Sequence, residues 1–348
     1  MYRLALIGFG NVGQGLAQIL LKKGELLERR YGFKASIVAV ATLRKGSLYH
    51  PTGLDLQALL AAGQAGSFDS YPTTPGLIRG RDPLATIRAT DADVVVETTY
   101  TNFQTAEPAL THVCTALELG KHVITANKGP VALAYHEIAA LAARKQAFFG
   151  CEGTVMGGTP ALRLARMSLA GCTISGARGV INGTTNFILT QMEQGQSYAD
   201  ALAEAQRLGY AEADPSGDVE GYDALGKLVI LANTVMGLTL KFDEVTRQGI
   251  THLTPEDIRA AQADNMRWKL IASVKTSPAG TTAYVRPERL PLSDPLANLD
   301  GSTNAITYLT DLVGAVTLVG SGAGPEPTGF ALLSDLLELH SQDLLRKL

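Results

Sequence analysis

The sequence predicts an α/β chain of two domains, a doubly wound parallel sheet followed by a mixed α+β domain. Three observations carry this expectation. Short apolar strands alternate with helical segments over residues 1–150, the order that builds a parallel sheet. A glycine-rich turn lies directly between the first strand and the first helix. Beyond residue 150 the alternation stops, and strands recur at irregular spacing. A chain of 348 residues, 46% hydrophobic and 18% charged, has the length and composition for two folded cores.

The first strand is Tyr2–Ile7 and the first helix spans 12–30, with Val12, Leu16, Ile19, Leu20 and Leu27 on its apolar face. A second strand covers 36–42. A loop and helical region with Pro51, Pro72 and Pro75 follows and is the least regular part of the domain. Residues 93–97 form a short buried strand, 105–119 a helix closed by Gly120, and 121–125 a strand running into Ala126-Asn127-Lys128-Gly129-Pro130. A helix over 134–145 and a strand over 147–151 complete the domain. The second domain is expected over 151–324, with strands at 175–181, 269–274, 281–285 and 315–319. A last helix, 329–345 within a segment 325–348, is expected to pack back on the first domain.

Gly8-Phe9-Gly10-Asn11-Val12-Gly13 follows a strand and opens a helix. In that context the first glycine makes the tight turn, the second admits a pyrophosphate to the backbone, and the third lets helix and strand pack closely. The helix N-terminus then offers free N–H groups to the anion. The first domain is therefore expected to be a Rossmann-type dinucleotide-binding domain. An acidic residue ending strand two would favour NAD. Here the strand ends Val40-Ala41-Thr42 and is followed by Leu43-Arg44-Lys45. With no carboxylate and with Arg44 placed for a 2′-phosphate, NADP(H) is expected over NAD(H).

The second informative stretch runs from Gly209 to Lys227 and holds five carboxylates, Glu212, Asp214, Asp218, Glu220 and Asp223. Asp223 and Lys227 are four apart and share one face of a helix. An exposed pair at that spacing is ordinarily a surface salt bridge worth a few tenths of a kcal/mol. The helix beyond Lys227 is nearly all apolar, so this lysine is expected to be buried, where a proton-transfer or amino-group-binding role fits it better. Glu212, Asp214 and Asp218 suit a substrate ammonium group.

A net charge of −3 gives no basis for a nucleic-acid or membrane surface. Three cysteines, Cys114, Cys151 and Cys172, have no paired spacing, which fits a reducing cytoplasm. The six histidines are scattered, so no transition metal is expected. No leader of charged then apolar residues precedes the first strand, and no apolar run reaches a membrane span.

Four motifs carry a resemblance to homoserine dehydrogenase over essentially the whole chain: the Gly8–Gly13 turn, Thr125-Ala126-Asn127-Lys128, Gly183-Thr184-Thr185-Asn186, and the run from Gly209 through Asp214, Pro215, Asp218, Tyr222 and Asp223 to Lys227. The last is the most specific. The chain resembles the short form, without an appended regulatory domain or a fused aspartate kinase. The resemblance implies interconversion of L-homoserine and L-aspartate 4-semialdehyde, a branch step toward threonine, methionine and isoleucine, in a cytoplasmic homodimer joined through the second domain. It implies that Lys227 moves the proton, that Asp223 positions it, and that Lys128 is a second lysine near nicotinamide and substrate. Glu212 and Asp218 match binders of the amino group, and Gly183 and Thr184 match substrate contacts. Thr98, Thr99 and Gly324 match residues near the cofactor. Glu152, Val155, Gly157 and Thr159 resemble a loop whose oxygens hold Na⁺.

A phosphorylating semialdehyde dehydrogenase is the nearest rival, with Cys151 as its nucleophile. Cys151 has no flanking histidine and is expected to line the core.

Overall fold

The computed structural model describes residues 1–345. The chain divides into two compact units: Met1–Gly158 with the segment from Gly324 onward, and Thr159–Ala323. Residues 151–158, expected in the second domain, therefore lie in the first unit.

The first unit contains β1 (Tyr2–Ile7), α1 (Asn11–Tyr31), β2 (Ala35–Ala41), β3 (Ser47–Tyr49), α2 (Leu56–Ala65), β4 (Ile78–Arg79), α3 (Pro83–Ala89), β5 (Val94–Glu97), α4 (Ala109–Glu118), β6 (His122–Thr125), α5 (Lys128–Arg144) and β7 (Phe149–Gly150). They form a sheet in the order β4-β3-β2-β1-β5-β6-β7. β1 pairs in parallel with both β2 and β5, and β5, β6 and β7 continue in parallel. β3 and β4 add an antiparallel edge. Alternation along β1 sends Leu4 and Leu6 to one core and Ala5 and Ile7 to another, so both faces of the sheet are covered by helices. The strand order reverses between β1 and β5, the place where such sheets bind ligands.

Two elements differ from the sequence expectation. The helix expected from 105 starts only at Ala109, because the Asn102 side chain accepts from the N–H groups of Gln104 and Thr105 and holds that stretch as a turn. The helix expected from 134 starts at Lys128, capped by Asn127, with a non-helical Ala134 where the two segments meet.

The second unit contains α6 (Ala161–Arg163), β8 (Ile174–Val180), α7 (Gly183–Glu193), α8 (Tyr198–Arg207), α9 (Ser216–Val219), α10 (Tyr222–Val235), β9 (Thr246–Arg247), α11 (Pro255–Ala263), β10 (Met266–Ser277), β11 (Gly280–Pro291), β12 (Thr303–Thr310) and β13 (Ala315–Ser321). Its sheet runs β13-β12-β8-β10-β11-β9 and is antiparallel except where β9 meets β11. β12 has no counterpart in the sequence reading. Asn304 to Tyr308 are buried on both faces, so the strand lacks the polar–apolar alternation that marks a half-buried strand. Lys269, on β10, is fully buried, and its amine donates to Asn186 Oδ1 and to the Leu299 carbonyl.

The last helix, α12 (Pro325–Leu345), returns to the first unit. A Cβ on Gly15 would lie 2.2 Å from the Pro325 carbonyl oxygen, and one on Gly329 would lie 2.6 Å from the Leu16 nitrogen. Glycine at both positions lets α1 and α12 touch backbone to backbone. The expected packing segment ran to residue 348, and 346–348 lie outside the described residues.

Candidate active site

The Gly8–Gly13 turn has the shape of a phosphate cradle. Gly8 has φ +97°, and a Cβ there would sit 2.6 Å from Thr98 backbone atoms. A Cβ on Gly13 would sit 2.9 Å from the Gly8 carbonyl oxygen, whereas Gly10 has no atom within 4 Å of its Cβ position. The first and third glycines are thus fixed by packing, and the second faces open space where an anion fits. Gly10 caps α1 without a side-chain hydrogen bond, and no acidic residue occupies the first turn, so the positive end of the helix is left for a phosphate. Asn11 is exposed and Val12 half-buried at this end. Phe9 contributes backbone only, since its ring is 1% exposed in the core.

At the end of β2 the two cations separate. Arg44 is exposed and has no ion pair among the described residues. The Lys45 amine instead donates to the carbonyls of Phe9 (3.1 Å) and Gly63 (2.7 Å), fastening the glycine turn to α2. The sequence gives no sign of this anchor, because both acceptors are backbone groups far away in the sequence. Thr98 packs on the same turn, its N–H bonded to the Ile7 carbonyl (2.7 Å) and its hydroxyl to that of Gly8 (3.1 Å). Thr99 follows on the same segment, and Lys128, half-buried, is the first residue of α5. Gly324 has φ +129° and leads into α12, its carbonyl accepting from the Thr328 N–H.

The second unit gathers the polar cluster. α10 is buried from Ala224 to Asn233, which brings Lys227 to 7% exposure. Its amine lies 2.7 Å from Asp223 Oδ2 and donates to the Ile181 carbonyl at 2.8 Å. Asn182 joins the carboxylates: its Nδ2 donates to Asp218 Oδ1 (2.6 Å) and to Asp223 Oδ2 (2.9 Å). Its Oδ1 accepts from the Thr185 N–H and so caps α7. Burial, and then the charge of Asp223, push the Asp218 carboxyl above its ordinary value, with the Asn182 hydrogen bond opposing them. The Thr184 hydroxyl donates to the Tyr210 carbonyl (2.7 Å).

Asp218, Asp223, Lys227 and Thr184 are therefore brought together, and Glu212 is not: its side chain is exposed and makes no hydrogen bond among the described residues. Asp218 sits in the short helix α9. Asn182 was missed, although it adjoins the Gly183-Thr184-Thr185-Asn186 motif. Asn304 was missed too; it is fully buried with neither amide atom hydrogen-bonded, and a Cβ on Gly183 would lie 3.2 Å from its Oδ1.

Glu152 is 4% exposed and its N–H is bonded to Asp335 Oδ2. Val155 is buried, Gly157 has φ +53°, and Thr159 begins the second unit. Among the described residues no group of three or more His, Cys, Asp or Glu is gathered for a metal ion. Cys151 is 1% exposed, which leaves its thiol no access to a substrate. No described helix is long and apolar enough to cross a membrane.

Comparison with known proteins places these features in one family. The family described as "Homoserine dehydrogenase, NAD binding domain" matches residues 8–150, and "Homoserine dehydrogenase" matches residues 160–337. The chain is 44% identical over 347 residues to an NAD(+)-dependent homoserine dehydrogenase of Pseudomonas canavaninivorans, covering 99% of this chain and 98% of that one. It is 39% identical over 342 residues to a homoserine dehydrogenase of Methanocaldococcus jannaschii, covering 97% and 98%. Among solved structures, a homoserine dehydrogenase from Thiobacillus denitrificans matches with TM-score 0.83 and 36% identity over 98% of this chain and 74% of that one. A hyperthermophilic archaeal homoserine dehydrogenase in complex with NADPH matches with TM-score 0.82 and 28% identity over 98% of each chain. The chain belongs to the homoserine dehydrogenase family.

Proposed function

We propose that Lys227, with Asp223, Asp218 and Asn182, carries the proton chemistry by which this oxidoreductase interconverts L-homoserine and L-aspartate 4-semialdehyde. The supporting observation is the setting of the Lys227 amine. It is buried, and two of its three possible N–H bonds go to Ile181 and Asp223, which leaves one position for a substrate hydroxyl. A bound nicotinamide supplies the hydride acceptor. In oxidation, neutral Lys227 takes the hydroxyl proton as the C–H bond breaks; in reduction, protonated Lys227 donates to the aldehyde oxygen. Asp223 and the Ile181 carbonyl fix the direction of Nζ. Asp218, its carboxyl raised by burial, is assigned to the substrate ammonium, whose positive charge favours the carboxylate form. Glu212, although it stands apart from the cluster, is assigned as a second carboxylate for that ammonium, and Gly183 and Thr184 are assigned as contacts to the same substrate. Lys128 is assigned as the second lysine, beside the cofactor. Lys227→Met is expected to lower turnover about 10²- to 10⁴-fold while melting as a folded protein, and near-normal turnover would refute the assignment.

The finer cofactor reading is that Arg44, exposed and without an ion pair where β2 ends, takes the 2′-phosphate of NADP(H). The Pseudomonas relative is named NAD(+)-dependent and the archaeal one holds NADPH, so the two cofactors have to be compared directly. The Glu152 carboxylate and the carbonyls of Val155, Gly157 and Thr159 are assigned to a Na⁺ ion, tested by exchanging sodium for choline salts in the assay. A homodimer through the second unit's sheet is tested by sedimentation.

A further inference from the structure

β5 reads Val94-Val95-Val96-Glu97, and its last side chain is as deeply buried as the valines, at 0% exposure. Oε1 accepts from the Thr99 N–H at 3.2 Å and from the Thr99 hydroxyl. Oε2 is buried with no hydrogen-bond partner. His112, on α4 and 4% exposed, places Nδ1 3.5 Å from Oε1 without hydrogen-bonding it. Burying a carboxylate costs several kcal/mol unless it is paired. Packing alone would be served as well by a fourth valine, so this carboxylate holds something in place.

What it holds is the segment 98–100. Thr99 is also bound from the other side: Asn127 Nδ2 donates to the carbonyls of Thr99 (3.2 Å) and Tyr100 (2.9 Å). Asn127 Oδ1 meanwhile accepts from the Gly129 N–H (3.0 Å), capping the helix that begins with Lys128. On the near side, Thr98 bonds the Gly8 carbonyl, and its backbone fills the space that a Cβ on Gly8 would need. One short segment therefore touches the glycine turn at one end and the start of α5 at the other, and the charged group bonded to it is Glu97.

We infer that Glu97, buried beside His112, is a positioning residue for the nicotinamide cofactor. It sets segment 98–100 against the glycine turn and, through Asn127, against the first turn of α5 before any dinucleotide arrives. The inference rests on the reading of the Gly8–Gly13 turn as a dinucleotide cradle. It predicts a defect in cofactor binding rather than in proton transfer, because neither Glu97 nor His112 belongs to the Lys227 cluster.

The test measures NADH and NADPH binding by fluorescence titration, together with amide hydrogen exchange at 98–102 in cofactor-free protein. Glu97→Met, close in volume and lacking the acceptor, is expected to weaken the tighter-bound cofactor about 10-fold or more, the scale of a lost hydrogen bond to a charged group. It is also expected to speed exchange at Thr99 and to leave the homoserine KM within twofold of wild type. If Glu97→Met does not fold, Thr99→Val and Thr99→Ser decide: valine is expected to weaken cofactor binding and serine to restore it. Cofactor binding within twofold of wild type in Glu97→Met, or equal in the two Thr99 variants, overturns the inference. A wild-type protein that binds neither dinucleotide overturns the cradle reading instead.

Discussion

Asn182 offers the sharpest separation of structural from catalytic roles, because its two ends do different work. The Oδ1 end caps α7 at Thr185, and the Nδ2 end bridges Asp218 and Asp223. Loss of a cap costs about 1 kcal/mol. Loss of a hydrogen bond to a charged group costs about 1.5–3 kcal/mol, which equals roughly a 10- to 100-fold change in an equilibrium or rate constant at about 1.4 kcal/mol per factor of ten. Asn182→Ala removes both ends and is expected to lower stability in urea as well as kcat/KM for homoserine. Asn182→Asp keeps an oxygen that caps as well as asparagine does, but it places a third carboxylate between the other two and removes both donors. It is therefore expected to lose kcat/KM by at least 10-fold through the missing bridge. The bridge also opposes the upward push on the Asp218 carboxyl. Without it the carboxylate forms only at higher pH, so the acid limb of the kcat/KM profile moves upward in Asn182→Ala. Homoserine oxidation followed by NAD(P)H absorbance across a pH series, beside urea melts, measures all three effects. Wild-type kcat/KM in Asn182→Asp would refute the claim that the bridge organises the two carboxylates.

Arg44→Ala is expected to raise the NADP KM about 10-fold, the scale of one lost charged contact, and to leave the NAD KM unchanged; equal effects on both would remove Arg44 from 2′-phosphate recognition. Burial pushes the Lys269 amine down from 10.5 to about 8. Below about 8 the folded and unfolded states both carry the proton, and the folded state bears the full cost of a buried charge. Between about 8 and 10.5 only the unfolded state keeps it, so stability rises with pH over that window, by about 3 kcal/mol at about 1.4 kcal/mol per pH unit. Urea melts of wild type and Lys269→Met across this window are expected to show the rise in the wild type only, and parallel curves would overturn it.

The sequence was most legible where chemistry is local. The Gly8–Gly13 turn declares itself because its strand, glycines and helix are consecutive, and Asp223 with Lys227 because helix geometry places them together. What escaped the reading depends on distant partners. Asn182 lies 36 and 41 residues from the two carboxylates it bridges, and Lys45 is 36 residues from the Phe9 carbonyl it holds. No local pattern encodes either bond. β12 escaped for a different reason: a strand buried on both faces has no alternation to read. Glu212 carries the family match, yet local sequence could not say that its side chain would stand apart from the cluster in this form of the protein.

The contact between α1 and α12 constrains how the chain is made. Leu332, Leu333, Leu336 and Leu339 of α12 complete the same core as Leu16 and Leu20 of α1, yet all of Thr159–Ala323 is synthesised in between. At about 5–20 residues per second, that interval alone adds roughly 8–33 s to the time the α1 face stays uncovered on the ribosome. The nascent first unit therefore waits with an apolar face open, close-packed glycine included, until the final helix emerges to cover it. During that wait α1 is the surface a chaperone has reason to guard.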